Sequence, residues 1–220
     1  MSIEENYLNI LKDIPKDVTL LAVSKTRSVE EILEAYNAGA REFGENKVQE
    51  LSEKFEQLPK DIKWHLIGHL QRNKVKYLVD KVHLIHSLDS IKLLEELEKQ
   101  FSSKDRVANV LIQINIGKET TKTGISVEEL EDIISACEKC NSVKVKGLMA
   151  TIPIGGEESC RVYFSEMKKI FEGLKKRSFK NINMEVLSIG MTGDYKLAIE
   201  EGSTLIRIGE GVFGKRNYNK

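Results

Sequence analysis

The chain has 220 residues, enough for one α/β barrel of roughly 200 to 250 residues or for two smaller domains. Its 34 Lys plus Arg balance 34 Asp plus Glu, and it carries no basic tail or RNA-binding aromatic motif, which argues against nucleic acid as a partner. The acidic start MSIEENYLNIL lacks the positive region and apolar core of a secretion signal, and no apolar run approaches the roughly 18 residues that span a bilayer, so a cytoplasmic protein away from membranes is expected.

The opening segment spaces Ile3, Tyr7, Ile10 and Leu11 as the buried stripe of an N-terminal helix. TLLAVS (19–24) follows as a short apolar run of strand type and ends at Lys25. Ser28 with Glu31 then matches a capping box opening the amphipathic segment SVEEILEAYNAG. REFG (41–44), KWHLIG (63–68) and VHLIHS (82–87) continue the strands, and NKVQELSEKFEQL (46–58) and SIKLLEELEKQF (90–101) the helices. VANVLIQINI (107–116) leads to a second capping box, Ser126 with Glu129, in SVEELEDIISAC. VKVKGLMA (143–150), the helical VYFSEMKKIFEGLKK (162–176), NMEVLSIG (183–190) and STLIRIG (203–209) complete the pattern. The three cysteines do not form a disulfide framework, and CEKC at Cys137 to Cys140 closes a helix where a redox or metal motif would open one.

Strict alternation of strand and helix implies parallel strands joined by right-handed crossovers, and eight of them close a (β/α)8 TIM barrel; an open doubly wound sheet is the alternative. No Pro-, Gly- or Ser-rich linker divides the chain, so residues 1–220 are expected to form a single domain.

Barrel chemistry sits at the C-terminal ends of the strands. There a lysine such as Lys25 can be partly desolvated, which favours the neutral amine that attacks an aldehyde to form a Schiff base; a solvated lysine at a strand end is the plainer alternative. The loops after the last two strands, SIGMTG and RIGEGVFG, are where barrels hold phosphate, because glycines let backbone N–H groups converge on an anion. Gly209, Gly211 and Gly214 also satisfy G-x-G-x-x-G, but six residues beyond Gly214 are too few for a nucleotide-binding unit. Arg207 lies inside the apolar TLIRIG strand, where a side chain pointing into the barrel requires a partner or ligand. No metal is expected. HLIGH has its histidines on a strand with no Glu between them, and His83 and His86 point to opposite faces. A lysine, a phosphate loop pair and an arginine together match an aldehyde, a phosphate and a ring acceptor, as in pyridoxal 5′-phosphate (PLP). A phosphosugar aldehyde has two of the three, which leaves a Schiff-base aldolase open.

AVSKT, FGENKVQE, WHLIGHLQRNK, LMA and LSIGMTGDYKLAIEEGSTLIRIGEGVFGKR occur together and in order over residues 2–218. In these motifs the chain resembles the PLP homeostasis proteins, the YggS/PROSC family. The resemblance implies a PLP-binding barrel like the N-terminal domain of alanine racemase, with Lys25 as the Schiff-base lysine and Asn46 near the cofactor. It also implies Ser188 and the backbone around Gly209 and Glu210 at the phosphate, with Arg207 near the pyridine nitrogen. The family often has Thr where this chain has Glu210, so a hydroxyl contact is lost there while the backbone N–H remains. A monomer that passes PLP to PLP-dependent apoenzymes, without turnover, is the expectation. An arginine beside the ring nitrogen disfavours its protonation and weakens PLP as an electron sink, and the chain shows no second base opposite Lys25. A PLP-dependent racemase or lyase using Lys25 as base is the alternative.

Overall fold

The computed structural model describes residues 1–215. Helix α1 (Ile3–Asp13) precedes eight strands: β1 (Thr19–Val23), β2 (Glu42–Glu45), β3 (Lys63–Leu66), β4 (Leu84–Leu88), β5 (Ala108–Gln113), β6 (Val143–Met149), β7 (Ile182–Met191) and β8 (Leu205–Ile208). Every neighbouring pair is parallel and β8 pairs with β1, so the sheet closes in sequence order as the alternating pattern requires. The connecting helices are α2 (Val29–Asn37), α3 (Val48–Gln57), α4 (Ile91–Ser102), α5 (Leu130–Cys137), α6 (Glu157–Lys175) and α7 (Tyr195–Glu200); a short α8 (Glu210–Phe213) follows β8.

Both anticipated helix starts form. At α2, Glu31 N–H donates to the Ser28 hydroxyl and Ser28 N–H to the Glu31 carboxylate. At the second, Ser126 N–H donates to Glu129 at 2.8 Å and opens a 3₁₀ turn that runs into α5. The connection between β3 and β4 departs from the pattern, for it carries a 3₁₀ helix, Arg72–Tyr77, with no side-chain cap. RNKVKY presents one buried residue, Val75, too few for the apolar stripe an α-helix needs there.

Alternation along the strands sorts the two faces of the barrel wall. Leu20 and Ala22 of β1, Trp64 and Leu66 of β3, Leu187 and Ile189 of β7, and Ile206 and Ile208 of β8 join the large core under the helices. Their neighbours Leu21, Val23, His65, Ser188 and Arg207 therefore face the barrel interior. Continuing the alternation past β1 puts Lys25 on that same face, above Val23 at the C-terminal mouth. Trp64 is core, as its apolar setting implies, fully buried beside Phe43.

Candidate functional site

The C-terminal mouth holds a cavity of about 230 Å³ lined by Val23, Lys25, Ile67, Met191, Thr192, Gly193, Arg207, Gly209 and Glu210. Strand register fixes the depth of each group. Leu21 pairs with Arg207 and Ala22 with Ile208, so Arg207 lies about two levels below Gly209 and forms the floor, while Lys25 stands at the rim. Gly190, at φ +92°, sits where the β7–β8 register shifts between Ser188 and Met191 and where a Cβ would meet the Ala198 side chain at 2.6 Å; Thr192 and Gly193 follow and line the cavity.

Lys25 is braced on both sides. The Lys54 ammonium, almost wholly buried, donates to the Ser24 carbonyl at 2.8 Å, to Glu45 at 2.8 Å and to Glu50 at 2.7 Å. Ser24 Oγ donates to Glu45 at 2.5 Å. Thr26 sits at φ +64°, a costly conformation for a β-branched residue, and its N–H is held by Glu50 at 2.5 Å. Burial pushes the Glu45 carboxyl up to about 7 against the pull of Lys54 and Ser24. Arg27 ties this loop to the last one through Glu31 at 3.0 Å and the Gly214 carbonyl.

Arg207 is a buried cation served by neutral acceptors. One terminal nitrogen donates to the Ser188 carbonyl and hydroxyl, both at 2.7 Å, and the other to the Ala150 carbonyl at 2.9 Å. Among the described residues no carboxylate pairs with it and its Nε–H makes no hydrogen bond. Burial lowers its pKa to about 10, so it stays charged at neutral pH. Beneath it a hydrogen-bonded column crosses the barrel: Ser188 Oγ to His86 Nδ1 at 3.0 Å, His86 Nε2 to His65 Nδ1 at 2.8 Å, and His65 Nε2 to Glu42 at 2.6 Å. Burial, then the charges of His65 and Arg207, hold His86 well below its ordinary pKa, which keeps it neutral.

The profile of the family described as "Alanine racemase, N-terminal domain" matches residues 1–217. The pyridoxal phosphate homeostasis protein of Aquifex aeolicus is 43% identical over 201 residues, which cover 90% of this chain and 87% of that protein. The one from Escherichia coli K12 is 39% identical over 212 residues, covering 94% and 89%. The chain belongs to the pyridoxal phosphate homeostasis protein family. PipY of Synechococcus elongatus, solved with PLP bound, superposes with a TM-score of 0.88 at 33% identity over 97% of this chain and all of that one. Without PLP its TM-score is 0.92. Alanine racemase of Clostridium difficile, at 13% identity and a TM-score of 0.83 over 58% of its own length, shares the fold.

Against this family background, the anticipated residues divide. Lys25, Arg207, Gly209 and Glu210 converge on one cavity. Ser188 does not reach it. Its hydroxyl is buried beneath the arginine, held between Arg207 and His86. The hydroxyl that lines the cavity belongs to Thr192, four residues on and absent from the anticipated set. Asn46 also lies outside the lining; half-buried after β2, its backbone packs so tightly on Gly68 that a Cβ there would meet the Asn46 carbonyl at 2.3 Å. Cys137 ends α5 and Cys140 follows it, both buried, and desolvation pushes their thiols up to about 12 and about 11, which makes them unreactive. The domain expected over residues 1–220 includes 216–220, which lie outside the described residues. Among the described residues no helix is long and apolar enough to cross a membrane.

Proposed function

We propose that this chain is a PLP-binding protein of vitamin B6 and amino-acid homeostasis, with the cofactor in the Lys25–Arg207 cavity. The observation that carries the reading is Arg207: a buried guanidinium, without a carboxylate partner among the described residues, flooring a cavity that has a lysine at its rim. A buried cation held by neutral oxygens alone favours a further acceptor from a ligand, and its Nε–H, which makes no hydrogen bond among the described residues, suits a ring nitrogen. The space is below the roughly 300–1,000 Å³ of drug-sized sites and suits one ring with short substituents. PLP supplies an electrophilic aldehyde and an electron sink when bound.

In this reading Lys25 holds the aldehyde as a Schiff base, and the Lys54–Glu45–Glu50 network fixes the backbone on either side of it. Thr192, with the backbone of Gly193, Gly209 and Glu210, receives the phosphate; Ser188 and His86 orient Arg207; and Asn46 supports the neighbouring loop. The domain acts as a cytoplasmic monomer that stores PLP and passes it to apoenzymes. Absence of turnover is supported by two features. Arginine leaves the ring nitrogen unprotonated, and opposite Lys25 the cavity offers Ile67, Met191 and a hydroxyl, with Glu210 exposed at the rim.

Deuterium incorporation at the α-carbon of L-alanine tests this reading, compared for wild type and Arg207→Glu at matched PLP occupancy. Wild type is expected to exchange slowly and the variant faster, because a carboxylate stabilises the pyridinium. Rapid exchange or L-to-D conversion by wild type would establish a racemase or lyase using Lys25 as base.

A further inference from the structure

The buried column below Arg207 ends at the opposite, N-terminal mouth of the barrel, in a group that the cofactor site does not use. Glu42 is the first residue of β2, His83 immediately precedes β4, and His65 of β3 points inward between them. One ligand atom from each lies within 4.8 Å of the other two. We propose that Glu42, His65 and His83 form a site for a divalent transition-metal ion of the zinc class.

Two imidazoles and a carboxylate are the donor set such ions take, and three protein ligands leave a fourth position for water. Parallel pairing builds the set. Glu42 lies level with Lys63 and His65 with Leu84, so adjacent strands carry the three residues to one edge. Burial is graded across it: His65 is buried, Glu42 half-buried and His83 exposed, which gives an ion a way in from solvent. The atoms behind the ligands are already placed. His65 Nδ1 is engaged by His86 at 2.8 Å, the outer contact that orients a ligating imidazole, and this leaves Nε2 for the ion. Lys63 holds Glu42 Oε1 at 2.9 Å, leaving Oε2, the oxygen 2.6 Å from His65 Nε2, to ligate. An ion between them replaces the proton they share, and the atoms spread to the spacing that metal–nitrogen bonds of roughly 2.0–2.1 Å require. His83 closes the set, its ring centroid being 5.5 Å from that of His65. The competing role for these residues is a plain structural column, which binds no ion.

The test is a Co²⁺ titration of the full chain freed of PLP, read by visible d–d absorption, with Zn²⁺ as competitor. One Co²⁺ per chain is expected, without thiolate-to-cobalt charge transfer and displaced by Zn²⁺. His83→Ala, a change at an exposed residue, and Glu42→Gln, at the half-buried rim, are each expected to weaken binding by roughly 100-fold or more, since even outer contacts are worth 10- to 100-fold. Lys25→Ala is expected to bind Co²⁺ as wild type does, so the result stands apart from the cofactor reading. No stoichiometric d–d band, a band with thiolate character from Cys137 and Cys140, or a band unchanged in both ligand variants overturns the proposal.

Discussion

Replacing Lys54 by Met removes the cation paired with buried Glu45. Lys54 is 6% exposed and Glu45 not at all. The change leaves a carboxyl, the Ser24 carbonyl and Glu50 without their shared donor. Breaking a buried pair from one side costs roughly 3–5 kcal/mol. For a chain of this size that lowers the melting temperature by roughly 6 to 20 °C, at about 2 to 4 °C per kcal/mol. The sign of the pH dependence sharpens the test. Glu45 is a carboxyl raised from 4.5 to about 7 in the folded state. Its contribution is therefore fully present below the unfolded value and is lost as pH rises through the folded one, a change worth roughly 3 kcal/mol. Without Lys54 the carboxyl titrates higher still. The penalty of Lys54→Met is thus smaller at pH 5.5, where Glu45 is protonated, than at pH 8, where it must either ionise unpaired in the core or keep a proton that the unfolded chain's carboxyl gives up. Urea unfolding at the two pH values measures both, and adding Glu45→Gln to Lys54→Met recovers part of the loss at pH 8. A cost under about 1 kcal/mol at pH 8, or an equal cost at both pH values, refutes the reasoning.

Thr192→Val weakens binding of PLP more than of pyridoxal, whereas Ser188→Ala weakens both alike by loosening Arg207; equilibrium dialysis with the two ligands checks this, and a phosphate-selective loss in Ser188→Ala reverses the assignment. The native protein leaves Cys137 and Cys140 unmodified by a thiol-disulfide reagent at pH 8 until urea is added, because both thiols are buried and titrate near 12 and 11; rapid native labelling of either, located by peptide mass, contradicts the burial argument.

The barrel was legible because each strand is a compact apolar run and because Ser28–Glu31 and Ser126–Glu129 mark helix starts by local chemistry alone. The 3₁₀ segment Arg72–Tyr77 was not, since its single buried residue leaves no periodicity to read. The site was legible to the level of strand ends and no finer. Ser188 and Thr192 both belong to SIGMTG, and what separates them is depth: Ser188 pairs with Leu205, below Arg207, whereas Met191 already pairs with Arg207. Depth depends on register across strands, which one strand's sequence does not encode. The same limit hid Glu42, His65 and His83. They come from three separate segments, and only their pairing places them side by side. Reading His83 with His86, three residues apart, followed the one spacing visible in the chain, while the fold joins each of them to His65.

Lys25 is expected to carry PLP covalently. Purified protein incubated with PLP is examined by visible absorbance, reduced with borohydride, digested and mapped by mass. A visible chromophore with the pyridoxyl mass on the peptide containing Lys25, and loss of both in a folded Lys25→Ala variant, is the predicted result. The mass on another lysine, such as Lys122 in the loop after β5, or a chromophore retained by Lys25→Ala, contradicts it.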